Sequence, residues 1–228
     1  MIDRLTRRIE AQLLLGSLAI AAAIAGFAAL AAEAREGDIG AVDRVLLLAF
    51  RLPGDVSIAI GPPWVEESAR DITALGGFTV LALVSVFATV MLLLHGRRLQ
   101  AVVFAVAVLF AQAASEVLKH LIARPRPILV SHLDLVYSAS FPSGHAMMSP
   151  VVYLTLAAVL AAGSERRSVR VLLVGSAMLL AAAVGITRVY LGVHWPTDVL
   201  AGWILGAAIA LAGSYALLRA EKQSRRDV

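Results

Sequence analysis

The sequence predicts an all-α integral membrane bundle of six transmembrane helices, with an extracytoplasmic interfacial segment between helices one and two. Three observations carry this. Of the 228 residues, 60% are hydrophobic and only 16% are charged, whereas soluble domains carry about 25% charged residues. Uncharged apolar runs recur at close to the ~20 residues that cross hydrocarbon. Basic residues cluster at the run ends and alternate between sides, the pattern of topology determinants.

The first run, Leu13–Ala32, follows Arg4, Arg7 and Arg8. With Ala29-Leu30-Ala31 it resembles a secretory signal, but it is longer than the ~7–15 residues of a signal's apolar core. It reads as a retained helix. The 33–71 segment comes next, with eight acidic residues (Glu33, Glu36, Asp38, Asp43, Asp55, Glu66, Glu67, Asp71) against four arginines. Val45–Phe50 is too short to span, and Pro53-Gly54 and Gly61-Pro62-Pro63 punctuate turns. Trp64 to Ile72 suits an interfacial helix, with Glu66 and Arg70 paired at i,i+4. Two readings stand for this segment, a lid beside the substrate entrance or a connector anchored by Trp64.

Ile72–Leu94 is the second run and ends at Arg97 and Arg98. The third starts at Leu99, stays uncharged to Ser115, and then meets Glu116 and Lys119. Ala146–Ser164 is the fourth, followed by Arg166, Arg167 and Arg170. Val171–Thr187 and Val199–Leu218 complete the set, before Arg219, Lys222, Arg225 and Arg226. Twelve of the twenty Lys and Arg residues thus fall on one side, with both termini and two short loops. That side is the cytoplasm. The cysteine-free, alanine-rich chain with basic termini reads as bacterial, in the cytoplasmic membrane. Residues 1–228 read as a single domain. Gly202-x-x-x-Gly206 reads as a helix-packing motif.

Some classes are excluded. No cysteine is present, so disulfides, thiolate catalysis and Cys-ligated metals are ruled out. The net charge of +4 and pI near 10.0 do not indicate nucleic acid, because the basic residues sit at span ends.

On the other side lies an anomaly. Lys119, Arg124, Arg126 and Arg188 stand at or just past helix ends, where the topology rule expects few cations. Any one alone is a snorkelling side chain. Four together with two histidines and an aspartate mark a functional site. In Lys119-His120-Leu121-Ile122-Ala123-Arg124-Pro125-Arg126-Pro127 the prolines force an extended exit, and Arg126 can fold back beside Lys119. Arginine offers a planar fork and lysine a point charge to a phosphate. In Phe141-Pro142-Ser143-Gly144-His145, a helix N-terminus supplies free amides and positive dipole. Ser143 Oγ can add a hydrogen bond there. A serine hydrolase is not indicated, because the G-x-S-x-G elbow is missing. In Thr187-Arg188 through His194-Trp195-Pro196-Thr197-Asp198, Pro196 suits a first helical turn. His194 and Asp198 then meet at i,i+4. A carboxylate on one imidazole nitrogen leaves the other free as a nucleophile.

These three segments resemble the signature motifs of the type-2 phosphatidic acid phosphatase superfamily: K-x6-R-P, P-S-G-H and S-R-x5-H-x3-D. They span residues 119–198, and Thr187 stands where the family usually has serine. The resemblance implies an integral membrane lipid phosphatase working through a phosphohistidine. His194 would be the nucleophile, Asp198 its orienting partner and His145 the general acid. Lys119, Arg126, Ser143, Gly144 and Arg188 would bind the phosphate. Activity is then expected to be bell-shaped in pH, with no metal and no other cofactor. The expected partners are a membrane lipid phosphate and the bilayer, and no nucleic acid. Undecaprenyl pyrophosphate, phosphatidic acid, phosphatidylglycerol phosphate and lipid A phosphates all fit. The site would face the periplasm or exterior. His95, His120 and His132 match no motif position. Alternatives are a lipid phosphotransferase using the same intermediate, or a non-catalytic lipid-phosphate transporter or binding protein. The vanadium haloperoxidases share the constellation but are soluble, against the six runs here.

Overall fold

The computed structural model describes residues 2–36 and 40–224, with side chains for 14–36 and 40–217. Asp38, Arg225 and Arg226 lie outside the described residues, as do the side chains of Arg4, Arg7, Arg8, Arg219 and Lys222. The elements in chain order are α1 (Ile2–Glu36), α2 (Ala41–Leu48), β1 (Arg51–Leu52), β2 (Asp55–Ala59), α3 (Pro63–Ala74), α4 (Phe78–Leu94), α5 (Arg98–Ile122), α6 (Gly144–Ala162), α7 (Arg167–Tyr190) and α8 (Pro196–Ser224). Among the described residues five helices, α1, α5, α6, α7 and α8, are long and apolar enough to cross a membrane. The α3–α4 pair qualifies as a sixth if counted as one span bent by 41°.

The bundle is built around α6. Of its most apolar window 61% is buried, against 28% for α5 and 22% for α7, so α6 is the central helix and the others surround it. Met147, Val151 and Val152 of α6 pack with Phe104 of α5 and Leu81 of α4 in the main apolar cluster. The outer faces of α4 and α5 expose Phe87, Leu94, Leu109 and Phe110, as helices do when their solvent is hydrocarbon. On the other flank Phe27 of α1 meets Phe141 with ring centroids 5.6 Å apart.

Small residues set the helix spacings, as expected in lipid. A Cβ at Gly202 would lie 2.8 Å from the Ser143 carbonyl oxygen, and one at Gly206 would lie 2.3 Å from that of Met147. Glycine at both positions lets α8 touch the α6 backbone beside the Pro-Ser-Gly-His segment. A Cβ at Gly185 of α7 would in turn overlap the Trp203 ring, whose Nε1 donates to the Ala181 carbonyl at 3.0 Å.

The second span differs from the unbroken Ile72–Leu94 helix that hydropathy predicts. The helix starts earlier, at Pro63, and breaks at Leu75–Gly77. Two successive glycines each cost a helix about 1 kcal/mol. Gly77 is extended (φ −72°, ψ 152°) as the N-cap of α4. A Cβ at Gly76 would lie 2.3 Å from Val184 Cγ1 and 2.9 Å from Ser149 Oγ, so glycine lets the break pack directly against α7 and α6.

The segment after α1 folds onto the same end of the bundle. The expected helix is α3, with Arg70 and Glu66 in contact at 2.6 Å. Pro53-Gly54 makes the β1–β2 hairpin turn, Gly54 taking φ 93°. Arg51, at 4% exposure, donates to the Tyr190 carbonyl at 2.8 Å and ties the hairpin to the end of α7.

Candidate active site

Three helix ends meet in one place. The α5 helix stops at Ala123, which takes the left-handed conformation (φ 50°). The chain then runs through Arg124-Pro125-Arg126-Pro127 without regular structure. The α6 helix begins behind a cis Phe141-Pro142 bond, and α8 begins at Pro196. Ser143 joins two of them, its amide donating to the Asp198 carbonyl at 3.1 Å.

Between these ends lies a cavity of about 350 Å³ lined by Lys119, Arg126, Asp134, Gly144, His145, Arg188 and His194, among others. Six of the eight residues that sequence reasoning singled out therefore share one wall. Ser143 and Asp198 do not line it. Ser143 is fully buried, and its Oγ accepts from the Ala146 amide at 3.5 Å as the α6 cap, so it faces the helix and not the cavity. The amides of Gly144 and His145 lie in the first turn, where N–H groups have no partner within the helix.

Asp198 stands behind His194. Its Oδ2 is 3.5 Å from His194 Nδ1 and accepts from the Trp195 amide at 2.9 Å and from Ser140 Oγ. On the opposite ring edge, Arg126 Nη1 is 3.1 Å from His194 Nε2. A guanidinium can only donate, so Nε2 presents its lone pair and Nδ1 carries the proton towards Asp198. His194 is 2% exposed. Its pKa is lowered to about 4, first by burial and further by the Arg126 and Arg188 charges, with Asp198 opposing the shift. It is neutral at pH 7.

The cations are held in place by carbonyls. Arg126 donates to Ser138 O at 2.8 Å and Val193 O at 2.6 Å. Ser138 Oγ receives both Arg126 Nη2 and Lys119 Nζ at 3.3 Å, which brings these two side by side as the motif spacing predicts. Burial, then the nearby Arg188 charge, pushes the Arg126 pKa down to about 10, which leaves it cationic at neutral pH. Lys119 also meets Glu116 at 3.9 Å. Arg188 is 2% exposed and donates from Nη1 to Asp134 at 2.7 Å and Thr73 at 3.1 Å. Among the described residues its buried Nε has no partner, a donor that a phosphate oxygen would satisfy.

Arg124, which the sequence counted among the site's cations without a role of its own, forms a buried layer behind Asp198 with Asp43, Ser140 and Thr197, which the sequence did not assign to the site. Arg124 donates to Asp198 at 2.6 Å and to Asp43 at 2.8 Å. Burial alone lowers its pKa, but the two carboxylates outweigh it and the net shift is upward. The anomalous cation count was the one signal that pointed to Arg124. His120 is exposed, and His132 bonds to the Pro127 carbonyl. Among the described residues no group of three or more His, Cys, Asp or Glu could hold a metal ion.

A second cavity of about 350 Å³ opens between α4 and α5 and shares Lys119, Gly144 and His145 with the first. Phe78, Leu81, Val86, Val108 and Leu109 give it apolar walls.

Comparison with known proteins shows what the chain resembles. A family model described as the PAP2 superfamily matches residues 100–222. Phosphatidylglycerophosphatase B of Bacillus subtilis is 33% identical over 156 residues, 66% of this chain and 74% of that one. An undecaprenyl-diphosphatase of Sulfolobus acidocaldarius is 33% identical over 128 residues, 54% of this chain and 58% of its own. The crystal structure of a transmembrane PAP2 type phosphatidylglycerolphosphate phosphatase from Bacillus subtilis aligns with TM-score 0.74 at 29% identity, covering 90% of this chain and 96% of that one.

Proposed function

The chain belongs to the PAP2 superfamily, and from that premise we propose that His194 is its phosphorus-attacking nucleophile and His145 its general acid. The protein is an integral membrane lipid phosphatase that hydrolyses a phosphomonoester or pyrophosphate through a phosphohistidine intermediate, as the family does. The observation that carries the residue assignment is the line Arg126–His194–Asp198, which leaves a lone pair on Nε2 facing a cationic cavity.

An arriving phosphate draws the Arg126 N–H groups onto its own oxygens and frees that lone pair. Nε2 attacks phosphorus, the bond to the leaving oxygen breaks, and His145 gives that oxygen a proton. Asp198 holds the Nδ1 proton and steadies the charge that develops on the ring. Water then attacks the phosphorus, His145 takes its proton, and the N–P bond returns its electron pair to Nε2. Acid–base assistance of this kind contributes about 10²–10⁴-fold. Lys119, Arg126 and Arg188 hold the equatorial oxygens with the Gly144 amide, a preorganised set of donors. Ser143 contributes by capping α6, which keeps that amide aimed at the cavity.

The substrate's apolar part lies in the α4–α5 cavity while its phosphate enters between the histidines. The adjoining apolar walls support this, as does the bend that opens the α3–α4 span. The names of the relatives favour a phosphatidylglycerol phosphate type of substrate, with undecaprenyl pyrophosphate as the second reading. Charge placement supports six spans, cytoplasmic termini, and a site on the periplasmic or extracellular side of a bacterial cytoplasmic membrane. The 33–71 segment, packed through α3 and Arg51 against α7, acts as a built-in connector of a single 1–228 domain.

Phosphate release by the purified full-length chain in detergent, across these lipids, tests the reading. We expect turnover to survive EDTA and to fall at least about 10³-fold in His194→Ala. Full activity in that variant would sink the assignment. Radiolabel passing from substrate to an acceptor lipid would make the protein a phosphotransferase, and no phosphate release from any lipid would favour a binding or transport role.

A further inference from the structure

Asp43 lies on α2, outside residues 100–222 that the family model matches and outside all three motifs. It is fully buried, which costs a carboxylate several kcal/mol unless it is paired. Its pairing is complete. Oδ1 accepts the Thr197 amide at 2.8 Å. Oδ2 accepts Thr197 Oγ1 at 2.7 Å and Arg124 Nη2 at 2.8 Å. Leu47, one helical turn on, packs with Val189, Trp195 and Val199, so α2 is anchored on the corner that presents His194.

Arg124 is the shared member. One arm goes to Asp43, and the other to Asp198 Oδ1 at 2.6 Å and Thr197 Oγ1 at 2.8 Å. Its guanidinium carbon sits 5.7 Å from the Trp195 ring centroid. Asp198 therefore spends one oxygen on Arg124 and keeps the other for His194 Nδ1, Ser140 and the Trp195 amide. We propose that Asp43 is a positioning residue for phosphoryl transfer: by holding one arm of Arg124, it keeps the second oxygen of Asp198 turned to His194.

The geometry gives two reasons. A guanidinium fork prefers to take one carboxylate with both arms. Without Asp43, both arms of Arg124 are available to Asp198, and the His194–Asp198 contact, already 3.5 Å long, is the one that yields. Asp43 also satisfies the Thr197 amide in the first turn of α8, a role usually taken by a residue of the helix's own cap. The start of α8 and the carboxylate one residue later are fixed together. The acidic connector between the first two spans thereby buttresses the site through one residue.

The inference rests on Asp198 being the orienter of His194, and a double-mutant cycle separates the two claims. Asp43→Asn, Asp198→Asn and the double variant are made in the full-length chain, with kcat, KM and thermal stability measured on the best lipid substrate. We expect Asp43→Asn to lower kcat about 10–100-fold, to change KM less than about 3-fold, and to have less than about a 2-fold further effect in the Asp198→Asn background. Equal losses in both backgrounds would make Asp43 merely structural and overturn the proposal. So would Asp43→Asn with full kcat while Asp198→Asn is impaired. An Asp198→Asn enzyme with full activity would overturn the orienter itself. If Asp43→Asn does not fold, Arg124→Lys replaces it in the same cycle, because lysine lacks the planar fork whose two arms reach the two carboxylates. A loss confined to the Asp198 background supports the proposal, and full kcat in Arg124→Lys overturns it.

Discussion

Replacing Gly206 with alanine adds one methyl group, and the sign of its effect is decided by where that methyl lands. In an open helix the change is favourable by about 1 kcal/mol. At Gly206 the new Cβ would sit 2.3 Å from the Met147 carbonyl oxygen and 2.6 Å from Pro150 Cγ, where ordinary contact starts near 3.4 Å. The obstacle is backbone and cannot rotate away. The α6 and α8 helices must therefore separate by about 1 Å. That shift falls between His145, two residues before Met147, and Asp198, two turns before Gly206. It also stretches the Ser143–Asp198 backbone bond of 3.1 Å. Overpacking of this kind costs about 1–3 kcal/mol, and a 1 Å misplacement of reacting groups can cost about 10²-fold in rate. Gly213, two turns further along α8, is the internal control. A Cβ there finds Val103 Cγ1 at 3.5 Å, an ordinary contact. Gly206→Ala should thus lose about 10²-fold in kcat and melt at lower temperature, while Gly213→Ala keeps both. Lipid phosphatase assays and thermal denaturation in one detergent read the pair. A Gly206→Ala enzyme within about 2-fold of wild type would refute the claim that glycine contacts between α6 and α8 hold the site together.

Three further outcomes follow from the cavity. Arg188→Lys keeps the charge but loses the Nε donor and the fork, so inhibition by vanadate, a phosphate mimic, should weaken at least about 10-fold; an unchanged inhibition constant would remove Arg188 from the phosphate site. The folded pKa of His194 lies near 4, whereas unfolded it titrates near 6.5. Stability should therefore fall as pH drops from about 6.5 towards 4, by up to about 1.4 kcal/mol per unit from this group. Removing a neighbouring cation with Arg126→Gln should raise the His194 pKa. Titration of ¹⁵N-labelled imidazoles checks the direction, and a downward or absent shift would contradict the geometry.

Much of the site was legible because its members recur at fixed spacing beside helix ends. Lys119 and Arg126 converge on Ser138 because the prolines force the exit that folds Arg126 back. His194 meets Asp198 because Pro196 starts a helix between them. The layer behind was not legible. Asp43 touches Arg124 and Thr197 across 81 and 154 residues, and nothing local distinguishes it from the seven other acids of its segment. Hydropathy was equally blind to the break at Gly76–Gly77, since the run stays apolar through it. The cause is a steric demand of Val184 on another helix. Ser143 shows the reverse case, a motif residue at the start of α6 whose hydroxyl serves the helix cap and not the cavity.

The most direct test of His194 as nucleophile is rapid quenching of the full-length enzyme on a ³²P-labelled lipid phosphate, followed by mapping of the labelled peptide. A base-stable, acid-labile label on the peptide containing His194, absent in His194→Asn, is the expected result. Label persisting in His194→Asn, or appearing on another histidine in the wild type, would contradict it.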